Sequence, residues 1–358
     1  MASNLPSHPH RSIRRGLVVL LAAALPLART PQALGFSVSG RSIQAHQPGA
    51  QRLMAQAQPG GADPLDQVQA LTLQARSFQD KGDYRQAILL WEQILAILEK
   101  VLGPDDPAMS GSLNNLASLY SSQGRYREAE PLYKRALAIV EKVRGTLHPD
   151  TATCLNNLAL LYDEQGRYRE AELLYSRALA IREKVLGPEH ASTATSLGNL
   201  ADLYLSQGRY GDAEPLLRRA LAIHERVHGA EHPDTANDLN NLATLYFDQG
   251  RYGDAEPLLR RALAIREKVL GSGHPDTLLS LNNMAELYTA QGRLAEAGPL
   301  YLRVLEIREK ALGPDHPSVA TSLNNLAAHY MDLGRYGEAE LHYRRAVEIL
   351  EISLGPEH

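Results

Sequence analysis

Three histidines and a glutamate in the stretch "HERVHGAEH" have the types and the spacing that could bind a metal ion. His224, Glu225 and His228 follow the order H-E-x-x-H, and His232 comes four residues later. Two histidines four residues apart lie on one face of a helix, where they can bind zinc while the glutamate acts as a base. The first chemistry to consider is therefore zinc-assisted hydrolysis.

The surrounding sequence argues against such a site, because it repeats with a step of 42 residues, as from Gly82 to Gly124. The equivalents of the three histidines in other repeats are, in order, Arg182 and Arg266, Leu186 and Leu270, and His148 and His274. Gly229 should also end the helix before His232. We therefore predict an incidental motif, no metal site, no cofactor and no enzymatic activity, with adventitious metal binding as the lesser alternative.

The single cysteine and the overall charge narrow the function further. Cys154 excludes an intramolecular disulfide and a multi-cysteine zinc site, and its small, apolar neighbours indicate a packing residue. The net charge of -4 gives no indication of a nucleic-acid partner. No Walker A sequence or nucleophile elbow appears in the chain.

A second set of polar residues consists of asparagines inside segments that otherwise predict helix, where asparagine is unfavourable because its amide competes for backbone hydrogen bonds. One series keeps the same place in six repeats: Asn115, Asn157, Asn199, Asn241, Asn283 and Asn325. A second series precedes it by one residue, with Gly198 as the exception: Asn114, Asn156, Asn240, Asn282 and Asn324. On a helix these residues lie away from the apolar stripe of Leu113, Leu116, Ala117 and Tyr120.

The elements that position these residues are two helices in each of seven repeats. Helix A carries the apolar stripe, Gly124 and its equivalents end it, and helix B is predicted from about Arg127 to Val143. Alanines such as Ala117 and Ala129 let the two helices approach closely, and proline suits the first turn of the next helix A. A strict period without insertions indicates one unit stacked seven times.

This pattern resembles the tetratricopeptide repeat, in the 42-residue form of the kinesin light chain type. The resemblance rests on "LNNLA", "GRYREAEPLYKRALAI", "EKVLG" and "HPDTA". It implies an all-α fold, a right-handed α-solenoid of seven helix-turn-helix repeats, with helix A lining a concave groove. It also implies that Asn115 and its five equivalents contact the backbone of a bound peptide. The alternative is that the amides bridge adjacent repeats or satisfy loop carbonyl groups.

The remainder of the helix A face varies between repeats and would set specificity. It includes Asp163, Asp202, Asp248 and Glu286, and from residue 108 onward no helix A contains lysine or arginine. We expect a protein or peptide partner with basic and apolar side chains. The alternative is that the basic B helices merely form a solvated outer surface.

The N-terminal segment differs in composition from the repeats. A basic start, twelve apolar residues from Gly16 to Leu27 and the small residues that end at Gly35 predict a cleaved signal peptide over residues 1–35. Export to the periplasm or the exterior follows, without a membrane span after cleavage, and an organelle transit peptide is the alternative. Residues 36–64 predict a disordered linker, and residues 65–358 hold the seven repeats.

The sequence therefore predicts a non-catalytic interaction scaffold that binds an extended segment in its groove. The second reading is a self-assembling solenoid whose groove holds another copy or its own N-terminal tether. Repeat one departs from the consensus at Leu73 and Trp91, as a terminal cap would. Leu350 and Ile352 should be partly exposed, which predicts end-to-end association.

Overall fold

The computed structural model describes residues 64–80 and 82–354, and the predicted signal peptide and most of the predicted linker lie outside them. The described residues are all-α, as predicted, and form fourteen helices in successive helix-turn-helix pairs. The first member of each pair, helix A, is α1 (Pro64–Asp80), α3 (Ala108–Ser122), α5 (Pro149–Glu164), α7 (Ala191–Ser206), α9 (Pro233–Asp248), α11 (Pro275–Ala290) and α13 (Pro317–Asp332). The second, helix B, is α2 (Tyr84–Leu102), α4 (Tyr126–Arg144), α6 (Tyr168–Leu186), α8 (Tyr210–Val227), α10 (Tyr252–Val269), α12 (Leu294–Leu312) and α14 (Tyr336–Leu354).

Glycines with positive φ end the helices at both kinds of turn. Gly124, with φ +71°, follows helix A, and Gly145, with φ +90°, follows helix B. The sequence pattern identified the first of these series, and the second keeps the same period half a repeat later. A side chain would be strained in this left-handed conformation, so the glycines fix where each helix stops.

Histidine and proline start most of the A helices. At α9, the N-cap residue His232 accepts a hydrogen bond at Nδ1 from the backbone N–H of Asp234, and Pro233 takes the first helical position. This satisfies one of the backbone donors that a helix start leaves without a partner. At α3 the carboxylate of Asp106 does the same work, accepting from the N–H of Ala108 at 2.8 Å.

The described helices fall into two compact units, one ending at Arg167 and the other beginning at Tyr168. In the first, α1 to α5 pack in sequence around residues such as Leu113 and Leu155, neither of which is exposed. In the second, α6 to α14 do the same around Leu217, Leu245 and Leu287. Each unit therefore buries apolar side chains between its successive helices.

The A helices are buried on more than the one face that their apolar stripe predicts. In α9, nine of sixteen residues are buried, against five of eighteen in its partner α10. The reason is that α9 contacts α8 and α7 of the preceding repeat as well as α10 of its own. Several small and polar side chains of this helix, among them Thr235, Asp238 and Asn240, are therefore packed between repeats.

The ends of the repeat series differ from its middle. Trp91 in α2 is buried and donates from Nε1 to Gln79 Oε1 at 3.1 Å, whereas Leu73 on α1 is 64% exposed. On α14, Ile352 is 76% exposed, and Leu350 is half-buried, as the sequence predicts. A search of the described helices finds none that is both long enough and apolar enough to cross a membrane.

Candidate functional site

The two asparagine series lie in different environments. Four members of the first-position series are buried and one is half-buried: Asn114, Asn156, Asn240 and Asn282 in the former group, and Asn324 in the latter. Asn114 donates from Nδ2 to Cys154 Sγ at 3.7 Å, across the interface between α3 and α5. This bond joins the A helices of two adjacent repeats.

All six members of the second-position series are half-buried: Asn115, Asn157, Asn199, Asn241, Asn283 and Asn325. One of them bridges two repeats, because Asn283 Nδ2 donates to Asn240 Oδ1 at 2.9 Å. The bridging role considered from the sequence is therefore present at that pair. The half-buried amides of this series can still contact solvent, whereas the buried amides of the other series cannot.

The four predicted carboxylates lie on the same helices. Asp163 and Asp202 are half-buried, while Asp248 and Glu286 are exposed. Desolvation by the surrounding protein raises the pKa of Glu286 above its ordinary value, although the side chain stays in contact with solvent.

Charge is unequally divided between the two kinds of helix. None of the described A helices from α3 onward contains lysine or arginine, whereas the B helices and the short A-to-B turns carry many. The turn arginines pack on helix A tyrosines: Arg251 lies 4.1 Å from the centre of the Tyr246 ring. Tyr204 also donates to Glu172 at 2.9 Å, and Arg209 binds the same carboxylate. These cations are thus already engaged within the repeat framework.

A buried cation joins helix B to the next helix A in several repeats, and the sequence pattern did not identify it. Arg266 is 2% exposed and donates to the carbonyl of Asp276 and to Ser280 Oγ at 3.0 and 2.7 Å. Arg182 and Arg308 make the same two bonds in their own repeats. Burial lowers the pKa of Arg182 to about 10. Comparing residues fourteen apart across each linker would have revealed these pairs.

His224 takes the place of this arginine, and Asp238 takes the place of the serine. Both side chains are buried, and His224 Nδ1 lies 2.6 Å from Asp238 Oδ2. The other ring nitrogen, Nε2, lies 3.2 Å from the carbonyl of Ala191. Burial lowers the pKa of His224, but the hydrogen bond and charge of Asp238 outweigh it and raise the pKa above its ordinary value.

The other residues of the H-E-x-x-H stretch do not share one helix, because the helix ends before His232, as the sequence predicts. Helix α8 ends before His232, with His228 as its C-cap and Gly229 at φ +97°. Glu225 forms an ion pair with Arg261 at 2.6 Å and so is engaged in contact with the next helix B. Glu225 is therefore not a free base beside the two histidines of the motif.

Cys154 is buried on α5, as its neighbours in the sequence indicate. Burial raises the pKa of its thiol to about 11. The thiol therefore stays protonated at neutral pH, which suits a packing residue and not a nucleophile.

Helix-turn-helix pairs that stack at a constant period define the class of α-solenoid repeat proteins. Within that class, the chain belongs to the tetratricopeptide repeat family, whose sequence profile matches residues 66–142, 109–184, 174–226, 192–268, 239–297 and 276–352. The fold is typical of modules that bind other proteins, and the family and its structural neighbours are generally non-catalytic.

Solved structures agree with this assignment. A putative kinesin light chain with nearly identical repeats of this type, from Podosopora anserina, shares 32% identity at a TM-score of 0.51, over 58% of this chain and 98% of its own. The apo form of RapI shares 16% identity at a TM-score of 0.56, over 79% of this chain and 97% of its own, which shows a common fold. No curated protein matches the chain.

Proposed function

We propose that the chain is a non-catalytic scaffold that binds an extended protein segment along its A helices. The observation that carries the proposal is a row of half-buried amides on helices without any cation. In the second compact unit the row consists of Asn199, Asn241, Asn283 and Asn325, one on each of α7, α9, α11 and α13. A primary amide donates and accepts, so it can pair with a peptide backbone whatever the side chains of that peptide are.

The acidic residues of this surface favour a basic ligand. Asp202 lies one turn after Asn199, and Glu286 lies one turn after Asn283, so each carboxylate shares a helix face with an amide. Neither helix contains a lysine or an arginine. Electrostatic complementarity therefore favours a segment with lysine or arginine side chains.

Apolar side chains on the same helices favour a ligand that is not merely charged. Leu279, one turn before Asn283, is 44% exposed, and Met331 on α13 is 46% exposed. An extended segment with alternating basic and apolar residues would place its backbone on the amides, its basic side chains on the carboxylates and its apolar side chains on Leu279 and Met331.

The test uses a random peptide library, from which ligands are selected on the full chain and then measured by fluorescence anisotropy. We expect selected peptides to be rich in lysine, arginine and apolar residues. Replacing Asn199 and Asn241 by alanine should weaken binding by about tenfold, because each lost amide removes about 0.5–1.5 kcal/mol. Asp248→Asn should also weaken binding, whereas Asp254→Asn on helix α10 is the control with the same change of charge.

Two results would reject the proposal. The first is a selected peptide that binds the alanine variant as tightly as the parent. The second is an alanine variant that melts early, which would assign the half-buried asparagines to holding repeats together, as Asn283 does with Asn240.

Self-assembly is the second candidate function, and it is favoured by the last helix. On α14, four large apolar or aromatic side chains are at least half exposed: Tyr336, Leu341, Val347 and Ile352. Surfaces of this kind commonly bind another protein. Light scattering over a range of concentrations tests this candidate, and Val347→Glu should abolish any concentration-dependent increase in mass. A constant monomeric mass would exclude it.

We also propose that the chain is exported by residues 1–35, which lie outside the described part of the structure. Fusion of these residues to a reporter that is active only after export tests the proposal. Arg14→Glu with Arg15→Glu should reduce export, and an equal signal from the two fusions would contradict it.

A further inference from the structure

Helices α8 and α9 present two histidines and two aspartates to each other. Each pair is one helical turn apart on its own helix, so His224 faces Asp238 at 2.6 Å and His228 faces Asp234 at 3.0 Å. One ring nitrogen of each histidine and one carboxylate oxygen of Asp234 all lie within 4.8 Å of one another. This is the only such group among the described residues.

The group is confined to one repeat junction. The place of His228 is taken by Leu186 and by Leu270 in the adjacent repeats, and arginine takes the place of His224 in both. The sequence alone identified the two histidines together with His232, but the structure brings Asp234 to them. His232 caps α9 through Nδ1 instead, and its ring packs on His228 with centroids 4.4 Å apart.

From this geometry we propose that His224, His228 and Asp234 bind a divalent transition metal ion of the Zn²⁺ class at the junction of α8 and α9. Two imidazole nitrogens and one carboxylate oxygen form a donor set that zinc accepts, with water completing a tetrahedral shell. Asp238 hydrogen-bonds to His224 Nδ1, as outer carboxylates do for histidine ligands, which assigns Nε2 to the metal in place of its 3.2 Å contact with the carbonyl of Ala191. The C-terminal end of α8, where His228 is the C-cap, also attracts a cation.

Metal binding at this place would join two repeats. Asp234 contacts His228, and His224 contacts Asp238 and the carbonyl of Ala191. A metal ion takes the place of any proton on the ligand nitrogen of each histidine, because imidazole binds metal only in its neutral form. Binding should therefore release protons, weaken in acid and stabilise the α8–α9 interface, since an ion that binds only the folded state raises its stability.

The experiment titrates the full-length chain with Zn²⁺ after dialysis against EDTA, and follows the melting temperature and the heat of binding at pH 7.5. The test variant is His228→Leu, which installs the residue of the adjacent repeats. The control variant is His274→Asn, which alters a histidine N-cap outside the cluster. The N-terminal histidines, at positions 8, 10 and 46, are present in every variant, so their binding cancels in the comparison.

We expect Zn²⁺ to raise the melting temperature of the parent and of the control, and His228→Leu to weaken zinc binding by about tenfold or more. Co²⁺ in place of zinc should give visible d–d absorption in the parent that is absent from His228→Leu. A melting temperature that zinc leaves unchanged would overturn the proposal and leave only proton-mediated pairs at this junction. Equal zinc binding and equal Co²⁺ spectra in parent and His228→Leu would also overturn it.

Discussion

Replacing His224 by valine should leave the buried carboxylate of Asp238 without its hydrogen-bond and ion-pair partner. Asp238 is 6% exposed, and the ring of His224 at 2.6 Å supplies its opposite charge. Breaking a buried pair by removing one partner costs about 3–5 kcal/mol, because the other charge remains in a medium of low dielectric constant. We expect a loss of this size in the stability of the α8–α9 junction.

A second substitution should restore most of the loss. Two repeats earlier the same two places hold Val140 and Cys154, which are both buried. The double variant His224→Val with Asp238→Cys copies that natural pair, and replacing a buried ion pair by apolar residues is often close to neutral. It should lie within about 2 kcal/mol of the parent, the difference including the lost bond to the carbonyl of Ala191.

The assay is native-state hydrogen exchange of the amides in α8 and α9, with those of α12 as the internal reference. Local measurement is needed because repeat arrays do not unfold in one cooperative step. EDTA keeps metal from the cluster, and a reductant keeps the new cysteine free. A cost below about 1 kcal/mol for His224→Val, or a double variant no more stable than that single variant, would refute the reasoning.

Three further predictions concern other buried groups. His329 is 4% exposed and its Nδ1 has no hydrogen-bond partner. Burial lowers its pKa, so the neutral ring is favoured in the folded state and stability should fall as pH drops below about 6.5. In thermal melts across pH 5–8, His329→Leu should reduce this sensitivity, with the remainder due to His316 and His342, whose pKa values burial also lowers, and an unchanged pH dependence would contradict this. Gly298→Glu introduces the residue that the preceding repeats have at this position. It should destabilise the protein, because its Cβ would lie 2.8 Å from His329 Nε2. Adding His329→Leu should restore stability in urea unfolding, and a destabilisation that persists in the double variant would contradict this. Cys154 should resist iodoacetamide at pH 7.5 until the protein unfolds, since its thiol pKa is raised to about 11, and rapid alkylation of the native protein would contradict this.

Much of the fold could be predicted from the sequence because each repeat states the same pattern again. Helix B was placed at about Arg127 to Val143, and α4 runs from Tyr126 to Arg144. Gly124 was expected in a left-handed conformation and has φ +71°. Because the 42-residue period has no insertions, the repeats can be aligned with one another directly, and each predicted helix boundary is supported by several repeats.

The polar interior could not be predicted in the same way. The sequence pattern placed the two asparagine series on one surface. A shift of one residue moves a side chain by about 100° around a helix. This is enough to separate Asn240, which is buried, from Asn241, which is half-buried. The partner of a buried polar group also comes from another helix, as Asp238 does for His224. Periodicity along a single helix carries no information about such a partner.

The measurement that tests the central claim most directly is photo-crosslinking of a selected peptide that carries a diazirine side chain, followed by mapping of the modified residues. Binding along the amide row predicts crosslinks on α7, α9, α11 and α13, near Leu279 and Glu286, with few on α8, α10 and α12. Crosslinks concentrated on the B helices, or confined to the exposed face of α14, would contradict the claim that the A helices form the binding surface.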